Sequence, residues 1–146
     1  MARVSIYLNF RRETEEAFLF YREVFGGEFD GGMHRMGEVP PQEGVPELSD
    51  EEKNLVMHVA LPILGGLVLM GTDVPESMGT TLTNGNTVYI NLEPDTRAET
   101  ERLFNRLSEG GEIYMPLQEM FWGDYYGSLR DKFGIHWMCN CTEKTA

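Results

Sequence analysis

Residues 20–27 read Phe-Tyr-Arg-Glu-Val-Phe-Gly-Gly, and residues 104–111 read Phe-Asn-Arg-Leu-Ser-Glu-Gly-Gly. The two stretches share a phenylalanine, an arginine and a glycine pair at one offset, since 104 − 20, 106 − 22 and 110 − 26 all equal 84. In the first stretch the apolar residues recur at helical spacing, and the glycine pair ends the helix. Self-similarity at a constant offset is typical of a duplicated unit. The sequence therefore predicts a repeated module built around an amphipathic helix.

Predicted strands flank each helix. Residues 4–10 alternate apolar with polar or aromatic side chains, and residues 88–92 do the same before the second helix. Residues 28–36 can form a short second strand that is weakened by two glycines. Residues 54–61 and 67–70 then form a predicted hairpin. One helix with about four strands is therefore the predicted content of a module.

The closing hairpins also repeat. Residues 66–70 match residues 134–138 at an offset of 68. This offset is shorter because a stretch at 37–53, rich in Pro, Gly and acidic residues, occurs only in the first half and is predicted to be a long exposed loop. The chain is therefore predicted to be one domain, residues 1–146, made of two βαβββ modules at residues 1–75 and 84–142.

This pattern predicts an α+β fold. One helix covers only one face of its sheet, so the other face must be covered in another way. We expect two tandem βαβββ modules that pair curved mixed β-sheets around a concave pocket, with one helix packed on the outside of each. The residues expected on the helix side are Val4, Ile6, Leu8, Leu67, Leu69, Ile90, Leu92, Ile135 and Trp137. Those expected on the concave side are Ser5, Tyr7, Asn9, His58, Val68, Met70, Thr87, Tyr89, Asn91, His136 and Met138.

The composition excludes several partners. Twelve Lys and Arg residues stand against 24 Asp and Glu residues, which gives a net charge of −12. Such a chain repels phosphate backbones, so we expect no nucleic-acid partner and no anionic membrane partner. The longest mostly apolar stretch, 56–70, is too short to span a bilayer, and the N-terminus lacks a signal-peptide pattern. Cys139 and Cys141 are too close in sequence for an ordinary disulfide, which favours reduced thiols and a cytoplasmic protein.

Several motifs resemble a known family. The stretches 20–27 and 131–137 are similar to those of the vicinal oxygen chelate superfamily, which includes glyoxalase I, bleomycin resistance proteins and extradiol dioxygenases. Residues 7–10, 56–58 and 116–123 resemble its PhnB-like branch, which often carries a 3-demethylubiquinone methyltransferase label. The sequence has no glycine-rich loop of the kind that binds S-adenosylmethionine, so we do not carry that chemistry over. The resemblance implies a homodimer that associates through sheet edges.

The resemblance also locates the metal-ligand positions of the superfamily. They fall on Met70 and Met138 in the last strands, on Ser5 or Tyr7 in the first strand, and on Thr87 or Tyr89 in its repeat. A thioether is a soft, neutral ligand that does not suit the usual divalent cations. We therefore expect no metal at this site and no cofactor.

Other side chains are candidates for ligand contact. His58 and His136 are expected on the concave side, where each is either a structural, hydrogen-bonded histidine or a functional group. His34 is expected at the surface. The stretch 118–127 combines aromatic rings with an amide and one acid, Glu119, while Phe121 and Trp122 alternatively fill the core of the second module. The predicted ligand-binding residues are Tyr7, His58, Met70, Tyr89, Gln118, Trp122, Tyr125, His136 and Met138.

Two functions remain open at this point. The first is a metal-independent small-molecule binding protein of the PhnB-like type. The alternative is a glyoxalase-like lyase or isomerase that uses a divalent metal relocated to His58 or His136, or His58 and Glu119 as acid and base. No Arg or Lys is expected on the concave side, so a phosphonate dianion is not an expected ligand. The loop at 37–53 is expected to be solvated, with a lid over the pocket as the alternative.

Overall fold

The computed structural model describes residues 2–144 and divides the chain into two compact units, with the boundary between Leu82 and Thr83. The first unit contains strands and helices in the order β1 (Ile6–Phe10), α1 (Thr14–Phe25), β2 (His34–Arg35), α2 (Asp50–Lys53), β3 (Val56–Pro62) and β4 (Val68–Asp73). The second contains β5 (Ile90–Leu92), α3 (Arg97–Ser108), β6 (Glu112–Glu119), β7 (Tyr125–Arg130) and β8 (His136–Cys141).

Each unit holds one four-stranded mixed sheet. The strand orders are β1-β4-β3-β2 and β5-β8-β7-β6. The first strand of each unit pairs in parallel with the last, and the remaining pairs are antiparallel. The predicted α+β class and the two tandem βαβββ modules are therefore confirmed. The predicted second strand, 28–36, is reduced to the two residues of β2.

The strand register shows how the two modules correspond. Ile6 pairs with Leu69 in the first unit, and Ile90 pairs with Trp137 in the second. The offsets are 90 − 6 = 84 and 137 − 69 = 68, the same as those of the helix and hairpin motifs. The structural counterpart of Tyr7 is therefore Asn91.

Helix α1 covers one face of the first sheet because its apolar residues recur every three or four positions. Ala17, Phe18 and Tyr21 are fully buried there. The buried carboxylate of Asp73, at the end of β4, accepts hydrogen bonds from the backbone N–H of Thr14 at 3.1 Å and of Val56 at 2.8 Å. A negative charge at a helix N-terminus is favourable, so Asp73 connects α1 to the sheet and stabilises the start of the helix.

Helix α3 covers the second sheet in the same way. Its first turn is capped by the Thr96 hydroxyl, which accepts from the N–H of Glu99. Leu103 and Leu107 are buried on its sheet-facing side, and Trp137 of β8 is fully buried. The prediction of which strand residues face a helix is therefore confirmed for the interior positions of the strands.

The ends of the predicted strands differ from expectation. Val4 was expected to face a helix, yet its exposed fraction is 86%, and Val88, its counterpart at the offset of 84, is 77% exposed. Both precede the first residue of their strand, so no helix lies over them. The alternation of apolar and polar residues therefore predicted the face to which a side chain points only where the chain forms a strand and a helix covers that strand.

The stretch at 37–53 is not a loop throughout. Its side chains from 37 to 47 are exposed, but it ends in the short helix α2, which Ser49 caps by accepting from the N–H of Glu52. Arg12 donates to Glu51 at 2.8 Å and to Glu76 at 3.2 Å. The C-terminal end of the stretch is therefore attached to neighbouring segments of the first unit.

Two further findings concern the cysteines and the helices. Cys139 and Cys141 are free thiols that are fully buried, and burial raises the pKa of Cys139 to about 12. A thiol with so high a pKa is a poor nucleophile at neutral pH. Among residues 2–144, no helix has both the length and the apolar character needed to cross a bilayer.

Candidate functional site

The helix-free face of the first sheet carries a tyrosine–histidine pair. Tyr7 of β1 and His58 of β3 form a hydrogen bond between the phenol oxygen and Nδ1 at 2.9 Å, with ring centroids 5.8 Å apart. Burial raises the pKa of Tyr7, so the phenol is protonated at neutral pH and can donate to Nδ1. A neutral imidazole then carries its own proton on Nε2. The pair therefore offers a ring donor to a ligand on a partly exposed surface.

His34 lies opposite His58 across the β2–β3 pairing. Its Nδ1 is 3.2 Å from the Glu38 carboxylate, and the side chain is exposed. This placement agrees with the expected surface role of His34 and makes it a direct neighbour of His58 on the same face of the sheet.

The positions to which the resemblance assigns the metal ligands of the superfamily hold neutral groups in both units. Met70 pairs with Tyr7, and its sulfur accepts from the hydroxyl of Ser5 at 3.8 Å. Met138 pairs with Asn91 and lies opposite Ser128. The thioethers are soft ligands, and the neutral hydroxyl and amide groups beside them leave the charge of a divalent cation uncompensated, so such a cation does not fit here. Within the described part of the chain, no three His, Cys, Asp or Glu residues cluster closely enough to hold a metal ion.

The helix-free face of the second sheet carries a larger aromatic cluster. The phenol of Tyr114 is 3.0 Å from Nε2 of His136, and the two rings are stacked at 14° with centroids 5.7 Å apart. Tyr89 lies 5.0 Å from the same imidazole and 6.4 Å from Tyr114. Both predicted residues, Tyr89 and His136, are therefore brought together.

Tyr114 was missed by sequence analysis for a physical reason. Strand β6 has register irregularities between Ile113 and Met115 and again between Met115 and Gln118. Each bulge changes which side chains point to a given face, so simple alternation does not place Tyr114. A second tyrosine–histidine hydrogen bond follows from pairing between strands, and the sequence contains no local signal for it.

A cavity of about 420 Å³ opens in the second unit beside this cluster. It is lined by Asn84, Gly85, Asn86, Arg130, Gly134 and His136. Arg130 is the Cα partner of His136 across the β7–β8 pairing, so both lie on the helix-free face. The expectation that no basic residue would occur on this face is wrong. The sequence contained a signal for the position of Arg130, because it follows Tyr126 and Ser128 at every second residue and residues with that spacing share one face of a strand.

Two residues of the 118–127 stretch lie on opposite faces. Gln118 pairs directly with Tyr126 and shares the helix-free face with it. Tyr125 points to the helix side, where its hydroxyl donates to Glu101 of α3 at 2.9 Å and the guanidinium of Arg97 lies 4.8 Å from its ring. We therefore remove Tyr125 from the candidate site and add Tyr126.

The turn between β6 and β7 places Glu119 and Trp122 at the surface. Arg97 donates to the Glu119 carboxylate at 3.1 Å. Phe121 and Trp122 pack edge-to-face with centroids 4.7 Å apart, and their exposed fractions are 97% and 52%. The alternative in which these two rings fill the core is therefore wrong. Glu119 is ion-paired in the second unit, whereas His58 belongs to the first.

Comparison with known proteins identifies a family whose model matches this chain. The family model described as 3-demethylubiquinone-9 3-methyltransferase matches residues 2–139. The crystal structure of protein PA1353 from Pseudomonas aeruginosa is 34% identical, covers 99% of this chain and 100% of that chain, and gives a TM-score of 0.83.

Two more distant structures have a similar fold. The PhnB protein from Bacillus cereus is 23% identical over 96% of this chain and 99% of that chain, with a TM-score of 0.73. A glyoxalase/bleomycin resistance protein/dioxygenase family enzyme from Burkholderia phytofirmans is 17% identical over 94% and 97% of the two chains, with a TM-score of 0.61. At these identities the likeness concerns the fold alone.

Proposed function

Because the chain belongs to the PhnB-like family described as 3-demethylubiquinone-9 3-methyltransferase, within the glyoxalase/bleomycin resistance/dioxygenase superfamily, we propose that it is a metal-independent small-molecule binding protein. The observation that supports this most strongly is the tyrosine–histidine hydrogen bond on the helix-free face of both units. Polar groups held beside exposed aromatic rings are typical of ligand sites, in which a few polar atoms orient a mostly apolar body.

In each unit, taken by itself, the side chains on the helix-free face support binding of a planar or apolar ligand. Tyr7 and His58 supply hydroxyl and imidazole contacts in the first unit, and Gln118 supplies an amide in the second. Met70 and Met138 lie on the same faces and can adapt to irregular ligand shapes because thioether side chains are flexible and polarisable.

The family description does not extend to a proposal of methyl transfer. The connections from β1 to α1 and from β5 to α3 are residues 11–13 and 93–96, and neither contains glycine. A site for S-adenosylmethionine normally needs a glycine-rich turn between a strand and a helix. We also place no metal at Met70 or Met138, for the reasons of donor chemistry given above.

A thermal-shift experiment tests the proposal. Protein purified without added metal or chelator is mixed with uncharged hydroxyaromatic compounds and, separately, with Zn²⁺, Ni²⁺, Mn²⁺ and Mg²⁺. A ligand at about 100 times its Kd stabilises the native state by roughly 2.7 kcal/mol, which raises the Tm by about 5–10 °C for a chain of this size. We expect at least one aromatic compound to do so. His58→Ala should weaken its affinity at least about tenfold, because the imidazole contact is lost.

Glu16→Ala is the control, because it removes an exposed polar side chain from α1, which covers the opposite face of the first sheet. It should leave the affinity unchanged. The proposal is contradicted if no compound raises the Tm, or if both variants behave alike. Near-stoichiometric metal with a stabilisation that His58→Ala abolishes would instead favour a glyoxalase-like lyase or isomerase.

We further propose a cytoplasmic homodimer that forms through sheet edges. Strands β1 and β5 are edge strands, and Val4 and Val88 are exposed at equivalent positions beside them. Unpaired strand edges bordered by apolar side chains favour pairing with another chain. Light scattering should give about twice the 16.6 kDa chain mass, and Val4→Lys with Val88→Lys should shift it towards one chain mass. A single-chain mass for the unmodified protein would contradict the dimer.

A further inference from the structure

We infer that the second unit binds a ligand that carries a carboxylate and that Arg130 binds this group in the cavity of that unit. The inference rests on the proposed function, and it adds a chemical class and a specificity-determining residue. The cavity of about 420 Å³ lies within the range of known small-ligand sites.

The guanidinium of Arg130 is available to a ligand. Its distance to the Glu112 carboxylate is 3.6 Å, and its side chain is 43% exposed. A charge-assisted hydrogen bond between nitrogen and oxygen is normally about 2.7–2.9 Å long, so this contact is a loose ion pair. By contrast, Arg35 donates to Glu15 at 2.8 Å, and Arg102 donates to Glu99 at 2.6 Å. Arg130 therefore keeps N–H groups that can turn towards the cavity.

Apart from Arg130, the residues that line the cavity are asparagine, glycine and histidine, and the Asn side chains can offer N–H groups to a ligand. Within residues 2–144, the side-chain amides of Asn84 and Asn86 make no hydrogen bond to another protein group, and both residues are exposed. Nε2 of His136 accepts from Tyr114 when the phenol donates, and a neutral ring then carries its proton on Nδ1. None of the six lining residues is acidic. A lining with one cation, no acidic residue and amide N–H groups available favours an anion.

The charge of the site distinguishes a carboxylate from a dianion. Arg130 contributes one positive charge to the lining, Glu112 offsets part of it, and the chain as a whole carries a net charge of −12. A second negative charge on the ligand would lack a partner and would be repelled. A carboxylate also matches the planar fork of guanidinium with two parallel hydrogen bonds. The rings of Tyr89 and Tyr114 beside His136 suit a ligand with an aromatic body.

Benzoate and benzamide are the probes for this inference, because they share a ring and differ in the charged group. Both are titrated into the full-length ¹⁵N-labelled protein at constant ionic strength, and Kd values come from shifts of amide signals near Gly134 and His136. We expect benzoate to bind at least about tenfold more tightly than benzamide. Arg130→Gln should weaken benzoate binding at least about tenfold, and Arg130→Lys should weaken it less, because lysine keeps the charge but loses the fork.

The matched control is Arg102→Gln, which removes the same charge from the exposed face of α3. It should change the benzoate affinity by less than about twofold. A well-dispersed spectrum of Arg130→Gln confirms that this half-exposed position tolerates the change.

Three results would overturn the carboxylate inference: equal affinities for benzoate and benzamide, benzoate binding that survives Arg130→Gln, or tighter binding of inorganic phosphate than of benzoate. The proposed function is judged separately by uncharged compounds whose binding depends on His58. If these bind and the Arg130 result is negative, the binding function stands and only the carboxylate assignment fails. If neither class of compound binds, both proposals fail.

Discussion

Replacement of Asp131 by alanine is expected to lower the free energy of unfolding by about 4 kcal/mol. The Asp131 side chain is fully buried, and its Oδ1 accepts from the N–H groups of Phe133 at 2.9 Å and Ile135 at 3.0 Å. Its Oδ2 accepts from Nε1 of the buried Trp137 at 2.9 Å. Alanine leaves these donors without the carboxylate, and an unsatisfied donor costs about 1–3 kcal/mol where it is buried, as Nε1 of Trp137 is, and less where it is partly buried, as the other two are.

The conservative variant separates the lost hydrogen bonds from the lost volume. Asp131→Asn keeps the size of the side chain but places an amide N–H₂ opposite one of the donors, so we expect a loss of about 2–3 kcal/mol. Urea unfolding followed by far-UV circular dichroism measures both variants. Asp30→Ala changes an exposed aspartate and should alter the stability by less than about 0.5 kcal/mol. A loss below about 1 kcal/mol for Asp131→Ala would show that the carboxylate does not hold the β7–β8 turn.

The second large effect is expected for Gly111→Ala. A Cβ atom at this position would lie 2.1 Å from the backbone oxygen of Arg130 and 2.9 Å from the backbone carbon of Asp131. Backbone atoms inside a sheet cannot turn aside as a side chain does, so α3 and β6 would have to shift away from β7. We expect a loss of about 3 kcal/mol or more, at the upper end of the costs of overpacking.

Gly27→Ala is the matched variant, because Gly27 is the repeat counterpart of Gly111 at the offset of 84. At Gly27 no atom lies within 4 Å of the added Cβ, but φ is +83°, which costs an alanine about 1–2 kcal/mol. Urea unfolding should therefore show a loss for Gly111→Ala about twice that for Gly27→Ala or larger. Equal losses would mean that the close approach to Arg130 is relieved without cost. Because Arg130 lines the cavity, Gly111→Ala should also weaken benzoate binding.

Much of the fold was predictable because the relevant signals are local and repeated. The helix residues Phe20, Tyr21 and Val24 recur at helical spacing, and the structure buries them as predicted. Ile90 and Leu92 alternate with polar neighbours, and both are buried. The glycine pairs mark the helix ends in both modules, although Gly27 serves a left-handed turn and Gly111 a close contact with another strand. The same residue type at equivalent positions of the two modules therefore meets different physical requirements.

The candidate site was less predictable because its members come from different strands. Tyr7 and His58 are 51 positions apart, and their hydrogen bond depends on how β1, β4 and β3 align. Because β6 contains bulges, simple alternation did not place Tyr114. Tyr126 is opposite Gln118 on the helix-free face, so its neighbour in sequence, Tyr125, lies on the helix side. Arg130 was overlooked because the face of β7 was not assigned from its period-two pattern.

The sequence by itself determined the duplication, the βαβββ order and the apolar side of each strand interior. These properties follow from the periodicity of side chains along a short stretch of backbone, which requires no knowledge of distant residues. The tertiary structure alone decided which tyrosine is hydrogen-bonded to which histidine, that Arg130 lies beside His136, and that Glu119 is paired with Arg97. Register between strands is set by packing and bulges over the whole sheet, and a shift of one residue exchanges the two faces of a strand.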